Sequence, residues 1–496
     1  MGTLIAIDAG TTGVRALAVT GSAQVIDVEY REIGQSYPFP GWVEHDADEI
    51  ANKVIACVAA LATRCAERGE QVDAIGITNQ RETVVAWDRS DGSVLAPAPV
   101  WQDKRTAARC AALRDAGHLE RVRQLTGLVL DPYFSATKMA WLVDHADVGR
   151  AKHLALGTID SWLTWQLTGG ADAGSFVTDP SNASRTLLYD LDQGRFSDEL
   201  AELFEVPFDA LAELRPSCGR FGVVRHAGLP MLAGVPISGI LGDQQAALFG
   251  QACTSPGMVK TTYGTGAFVL VNAGDRRPAT ADGLLSTVAW DLGAKGGTAY
   301  ALEGSAFVAG AAIQWLRDEL GIIDSASGIE SLARTAAISD TMRFVPAFVG
   351  LGSPFWDESA RGAMVGITKG SGRAELARAV VESLSYEVRA ITDAMAVAGL
   401  TLQEMRVDGG AAAMDLLLQN QADQSRVDVC RPSSIESTAL GAATIAGLAE
   451  GIFGSLEELS MLWSETERFS PVLDAELAEL SYAAWQDAVE RSRRWI

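Results

Sequence analysis

The chain builds the same punctuation twice, once in each half. An apolar run over 4–7 ends at Asp8, a turn of Gly10, Thr11, Thr12 and Gly13 follows, and a second apolar run over 16–19 leads away. Residues 258–271 repeat the plan, with Gly264, Thr265 and Gly266 between two apolar runs. Each stretch predicts a β-hairpin with a small, polar tip. At the first tip Gly10 and Gly13 let the backbone approach a ligand closely, Thr11 and Thr12 add hydroxyls, and Arg15 adds a fixed positive charge. Such a tip suits phosphate. Asp8, at the strand end, suits a hard divalent cation bridging that phosphate, or is a solvated carboxylate on an ordinary surface hairpin.

With 496 residues, 48% of them hydrophobic, the chain can bury large cores, and two large domains fit best, 1–249 and 250–496. The formal net charge of −23 and a pI near 4.6 disfavour nucleic acid or an anionic membrane as partner, because both reward a basic surface. Met1 leads almost directly into the first strand without a leader pattern, and no apolar stretch is long enough to span a bilayer. The six cysteines are scattered without a Cys-x-x-Cys pair, as expected of reduced thiols in a cytoplasmic protein without structural zinc.

Between the hairpins, Asp46 followed by Glu49 reads as a capping box, and Ile50, Val54, Val58 and Leu61 recur at helical spacing until Gly69. A buried strand over 72–77 delivers Thr78 to Thr83 at its end, where α/β proteins place ligand contacts. The stretches 100–106, 131–138 and 179–186 read as polar loops, and the last suggests no function from its residues. A strand over 235–240 runs into a helix that begins near Asp243. In the second half, Leu376, Val380, Leu384, Val388, Ile391 and Met395 mark a long helix stopped near Gly399, and a strand ending at 406–412 mirrors the first half. Two related α/β halves facing each other across a cleft follow, with both Gly/Thr tips lining it.

Two such tips can hold a polyphosphate from either side, which describes nucleotide binding without a Walker loop. No Gly-x-x-x-x-Gly-Lys-[Ser/Thr] and no His-Glu-x-x-His occur, and there are only five histidines. Phosphoryl transfer needs a metal to neutralise phosphate oxygens and a carboxylate to accept a hydroxyl proton, roles open to Asp8 and Asp243. Taken alone, Asp243 reads as a helix N-cap with a solvated carboxylate, a common use of Asp. Arg81 and Glu82 offer a donor and an acceptor side by side, suited to a vicinal diol, or form a surface salt bridge. Trp101, Tyr133 and Phe268 can wall a small carbon skeleton or simply fill core.

The segments 40–46, 76–83, 127–135, 181–186, 242–250, 262–266, 301–304 and 406–410 resemble the FGGY carbohydrate kinases, most of all the members that phosphorylate glycerol. Residues 133–145, with Lys138 and Trp141, fit the family's general signature. The resemblance implies actin-like, ribonuclease-H-like α/β domains around an interdomain catalytic cleft, with ATP and Mg²⁺ used to convert glycerol to sn-glycerol 3-phosphate. It implies that Arg81, Glu82, Tyr133, Asp243 and Gln244 contact glycerol hydroxyls while Trp101 and Phe268 pack on its carbons. The nucleotide would meet Thr11, Thr12, Gly13, Arg15, Thr265, Gly310, Gln314, Gly410 and the position of Met414. Asp243 would be the general base, and Asp8 with Asp243 would orient the metal. A homodimer or homotetramer is expected on the same ground. The alternatives are a kinase of this family for another polyol or a ketose, and a nucleotide-dependent sensor of the same fold that no longer catalyses.

The chain also departs from the family. Ala9 stands for a glutamine, Gly13 and Val14 for two serines, and Met414 for an asparagine at the adenine end. Gly234 occupies the place of an arginine associated with inhibition by fructose 1,6-bisphosphate.

Overall fold

The computed structural model describes residues 2–145, 147–279, 281–336 and 341–495; Met1 lies outside them. Both hairpins form. β1 (Thr3–Ala9) pairs antiparallel with β2 (Gly13–Thr20), Ala9 opposite Val14, which leaves Gly10, Thr11 and Thr12 as the tip. β3 (Val25–Glu32) extends the meander, and after α1 (Ala47–Glu67) β4 (Val72–Asn79) lies parallel to β1. A long insertion carrying α2 (Ser135–His145) precedes β5 (Cys218–Val223) and β6 (Pro236–Gly242). The sheet order is β5-β6-β4-β1-β2-β3, and α3 (Asp243–Gly250) follows β6 without a loop.

The second half repeats this plan. β7 (Met258–Tyr263) and β8 (Ala267–Gly274) form the second hairpin, followed by β9 (Leu285–Asp291), β10 (Thr298–Ala306), α4 (Gly310–Asp318) and the long α5 (Arg373–Val397). Then come β11 (Glu404–Asp408), α6 (Asp415–Ser425), β12 (Asp428–Pro432), α7 (Ser437–Ala449) and β13 (Glu465–Phe469). The order β9-β10-β8-β7-β11-β12-β13 contains β10-β8-β7-β11-β12, which matches β3-β2-β1-β4-β6 strand for strand. In both, the hairpin is antiparallel and the next two strands run parallel to its first strand. The internal likeness of the halves is therefore a likeness of topology.

α1 shows why these residues fold locally. Asp46 caps it by accepting from the amides of Asp48 and Glu49, and Ile50, Val54, Val58 and Leu61 are buried against the first sheet. Burial of each such side chain stabilises by about 1.5–3 kcal/mol. Glu49 does not complete the expected capping box. Its carboxylate turns to Lys53 Nζ (2.6 Å) and the Gly34 amide (3.3 Å), where two donors outcompete one.

α7 joins the halves. It belongs to the second half by sequence, yet packs on β1, β4 and β6, while α3 packs on α7 and β8. Contact is backbone to backbone. A Cβ on Gly76 would lie 1.9 Å from the Ala442 carbonyl oxygen, one on Gly441 1.9 Å from that of Ala246, and one on Gly250 1.9 Å from that of Ser437. One apolar cluster consequently contains Leu4, Ala6 and Leu17 of the first sheet, Leu270 and Ala301 of the second, and Ala439 and Ala443 of α7. All six cysteines are buried and unpaired. Among the described residues no helix is long and apolar enough to cross a membrane.

Residues 179–186 are not the open polar loop that their composition suggests. Every one of them is buried. Asp179 accepts from the amides of Ser181 (2.9 Å) and Asn182 (3.0 Å) and from Ser217 Oγ (2.6 Å), starting a single helical turn, Pro180–Ala183. Polar side chains that satisfy one another can be buried, as Asp179 and Asn182 are, with Asn182 Nδ2 donating to Asp179 Oδ1 (2.9 Å).

Candidate active site

The end of β4 carries the polyol candidates inward. Arg81 and Glu82 are 3% and 1% exposed, which removes the surface salt-bridge alternative, and Glu82 adopts φ +62°, a left-handed conformation unfavourable for glutamate. Neither side chain relies chiefly on the other, since their closest approach is 3.8 Å. Arg81 gives Nη1 and Nη2 to Glu303 (2.6 and 3.0 Å), Nη1 also to Gln245 Oε1 (3.2 Å), and holds Nε 3.2 Å from Asp243 Oδ1. Glu82 Oε1 accepts from Arg185 Nε (2.7 Å), and its carbonyl oxygen accepts from Ser135 Oγ (2.9 Å).

Burial opposes charge on Glu303, but Arg185 and Arg81 outweigh it and hold its carboxyl at about 2. Burial pushes Glu82 above the usual carboxylate range against the pull of Arg81 and Arg185. It also raises the Tyr133 hydroxyl, an effect that Glu82 reinforces. Tyr133 meets Trp101 edge to face at 5.6 Å, and the Trp101 indole N–H donates to Thr11 Oγ1 (3.0 Å), tying these aromatics to the first Gly/Thr tip. Lys138 Nζ donates to the carbonyl oxygens of Pro132 (2.6 Å) and Tyr133 (2.7 Å) and so fixes the turn that presents Tyr133.

Asp243 opens α3, with Gly242 at the capping position. Its only hydrogen bond to the helix backbone comes from the adjacent Gln244 amide (2.7 Å), so it is not the N-cap. About a third of its side chain (32%) remains open, and burial of the rest raises its carboxyl above the ordinary value despite Arg81. Gln244 Oε1 accepts from Lys260 Nζ (2.6 Å), which leaves the amide NH₂ of Gln244 available as a donor. Burial lowers the Lys260 ammonium, opposed by Asp408 and Asp243.

At the first tip Asp8 lies opposite Arg15 across the hairpin and pairs with it at 2.5 Å, while Arg15 Nη1 reaches Glu436 Oε2 (2.6 Å) at the start of α7. Thr12 is exposed. A Cβ on Gly13 would fall 2.3 Å from the Tyr30 ring, so a serine there would require Tyr30 to move. At the second tip the Gly310 amide donates to the Gly264 carbonyl oxygen (2.9 Å) and the Ala309 amide to that of Thr265 (2.7 Å), which seats the turn on the start of α4. Thr265, Gln314 and Gly410 are exposed, and Gly310 is partly so. Met414 is instead 6% exposed and packed in the second half's core, where it offers a base only apolar surface. Phe268 is partly buried on β8, opposite Thr262 and Ser305.

Thus Thr11, Trp101, Tyr133, Arg81, Glu82, Asp243 and Gln244 come together through direct contacts or one shared partner. Arg185, Glu303 and Lys260 were missed as members of this cluster. Arg185 and Glu303 lie in two of the segments that resemble the family, 181–186 and 301–304, and Glu303 is also a charge after the apolar Ala301 and Leu302. Asp8 and Asp243 are hard oxygen donors suited to Mg²⁺, and among the described residues no group of three or more His, Cys, Asp or Glu could hold a metal. A cation at these carboxylates would therefore need ligands from phosphate and water.

Two sheets of one topology, a Gly/Thr tip on each, and a carboxylate beside a buried guanidinium define a two-domain α/β kinase. Residues 3–250 match the N-terminal domain of the FGGY family of carbohydrate kinases and residues 259–450 its C-terminal domain, and the chain belongs to that family. It is 50% identical to a glycerol kinase of Trichlorobacter lovleyi, with 100% of this chain and 99% of the relative covered. A glycerol kinase of Aromatoleum aromaticum is 47% identical, with 100% of each chain covered. Among solved structures, Plasmodium falciparum glycerol kinase with ADP superposes with a TM-score of 0.94 at 30% identity, covering 99% of this chain and 98% of that one.

Proposed function

We propose that this chain transfers the terminal phosphoryl group of ATP to glycerol, giving sn-glycerol 3-phosphate. The observation that carries the reading is the buried Arg81 and Glu82 pair with Asp243 3.2 Å from the guanidinium, in a chain about half identical to glycerol kinases along its whole length. Arg81, Glu82, Tyr133 and Gln244 orient the hydroxyls, and Trp101 and Phe268 cover the carbon skeleton. Asp243 accepts the proton of the attacking hydroxyl, a role served by a carboxyl raised above its ordinary value.

Thr11, Thr12, Gly13 and Arg15 on the first tip, with Thr265, Gly310, Gln314, Gly410 and the wall at Met414 on the second side, receive the nucleotide. Asp8 and Asp243 would hold Mg²⁺, which when bound neutralises charge on the phosphate oxygens. Closure of the halves, divided at 249/250, would exclude water so that the polyol takes the phosphoryl group. Six buried unpaired thiols support a reducing, cytoplasmic setting, and a homodimer or homotetramer is the expected assembly. Turnover across glycerol, erythritol, xylulose and dihydroxyacetone tests the acceptor: glycerol should give the highest kcat/KM, and a clear preference for another acceptor would replace this reading.

A further inference from the structure

We propose that Glu303, on β10 of the second half, is a positioning residue that sets the direction of the polyol-binding pair in the first half. This rests on the functional reading above. Arg81 and Arg185 enter one buried layer from the first half, and two guanidinium groups out of water repel each other unless a shared anion lies between them. Glu303 is that anion. Its Oε2 accepts from Arg81 Nη1 (2.6 Å), and its Oε1 accepts from Arg81 Nη2 (3.0 Å) and Arg185 Nη2 (3.2 Å).

The two-pronged contact fixes the plane of Arg81, whose Nε lies 3.2 Å from Asp243 Oδ1. Arg185, held at the other side, gives Nε to Glu82 Oε1 (2.7 Å). One carboxylate thus orients both the donor and the acceptor of the pair without touching the polyol itself. Arg185 Nη1 is buried with no hydrogen-bond partner among the described residues, so the cluster keeps one unsatisfied donor beside the Phe134 ring, whose centroid lies 5.2 Å from the guanidinium carbon.

The contact also joins the halves. Glu303 lies opposite Leu270 on β8, the strand that follows the second Gly/Thr tip and carries Phe268. Ser184 and Thr287 share a hydroxyl hydrogen bond (2.8 Å) across the same seam, and Gln245 Nε2 donates to Thr287 Oγ1 (3.2 Å). The orientation of Arg81 is therefore referred to the sheet that bears the nucleotide tip.

The test is steady-state kinetics of the full chain, by glycerol-dependent ADP release, on Glu303→Gln and Arg185→Lys. Each variant should raise the glycerol KM about tenfold or more, leave the ATP KM within about twofold, and lower kcat by less than the KM rises. Because loss of a buried charge can unfold a domain, Arg185→Lys keeps the charge and gives up only the planar fork. A folded variant with an unchanged glycerol KM, or one that loses only kcat, would overturn the proposal. If the parent chain releases ADP with glycerol and the variants match it, this inference alone fails. A parent without glycerol-dependent release would overturn the functional reading and this one with it.

Discussion

Arg81 Nε and Asp243 Oδ1 stand 3.2 Å apart, one two residues past the end of β4 and the other on the first residue of α3. Guanidinium and carboxylate therefore share one small volume, and in the proposed reading a hydroxyl bound there meets both. Replacing Asp243 by Asn keeps shape and removes the proposed proton acceptor. We expect kcat to fall by about 10²–10⁴-fold with little change in glycerol affinity by calorimetry. Near-normal turnover would exclude Asp243 as the base.

Gly441 on α7 has no room for a side chain, because its Cβ would lie 1.9 Å from the Ala246 carbonyl oxygen. The obstacle is backbone, so α3 and α7 would have to separate. Gly441→Ala should destabilise by about 1–3 kcal/mol or more, read as a lower urea midpoint and a lower Tm. A stability equal to that of the parent would show that this crossing is looser than its geometry.

Glu387 on α5 is 4% exposed, its Oε1 has no hydrogen-bond partner among the described residues, and burial pushes its carboxyl up to about 8. The folded state thus holds a proton that the unfolded chain releases near its ordinary value of 4.5. Stability is lost as pH rises from there through about 8, because the folded state binds the extra proton across that window. Glu387→Gln removes this dependence. Thermal unfolding should show the variant gaining on the parent as pH rises from about 5 to about 8, and parallel pH profiles would contradict the assignment.

Gly234 has φ +85° and open space where a side chain would be. The resemblance associates an arginine at this place with inhibition by fructose 1,6-bisphosphate. Here no guanidinium is present, and the left-handed backbone favours glycine. Millimolar fructose 1,6-bisphosphate should inhibit turnover weakly or not at all, and clear inhibition would contradict this.

The hairpins, α1 and α5 were legible because their signals are local: alternating apolar runs around Gly/Thr turns, and apolar residues at helical spacing. The charge cluster was not. Glu82 meets Arg185 across 103 residues and Arg81 meets Glu303 across 222, so no local pattern links the four, and a surface salt bridge stood as the alternative for Arg81 and Glu82. Residues 179–186 looked like a loop for the same reason, since the partners that allow Asp179 and Asn182 to be buried include Ser217 and Asn79. Met414 was readable as a departure from the family, but its place in the core depended on how α6 packs.

The most direct test of the central claim is ADP release from ATP and Mg²⁺ by the purified chain, measured by a coupled assay with and without glycerol. Release should depend on glycerol, saturate with it, and match sn-glycerol 3-phosphate formed mole for mole. Release that is indifferent to glycerol, or none at all, would contradict that claim.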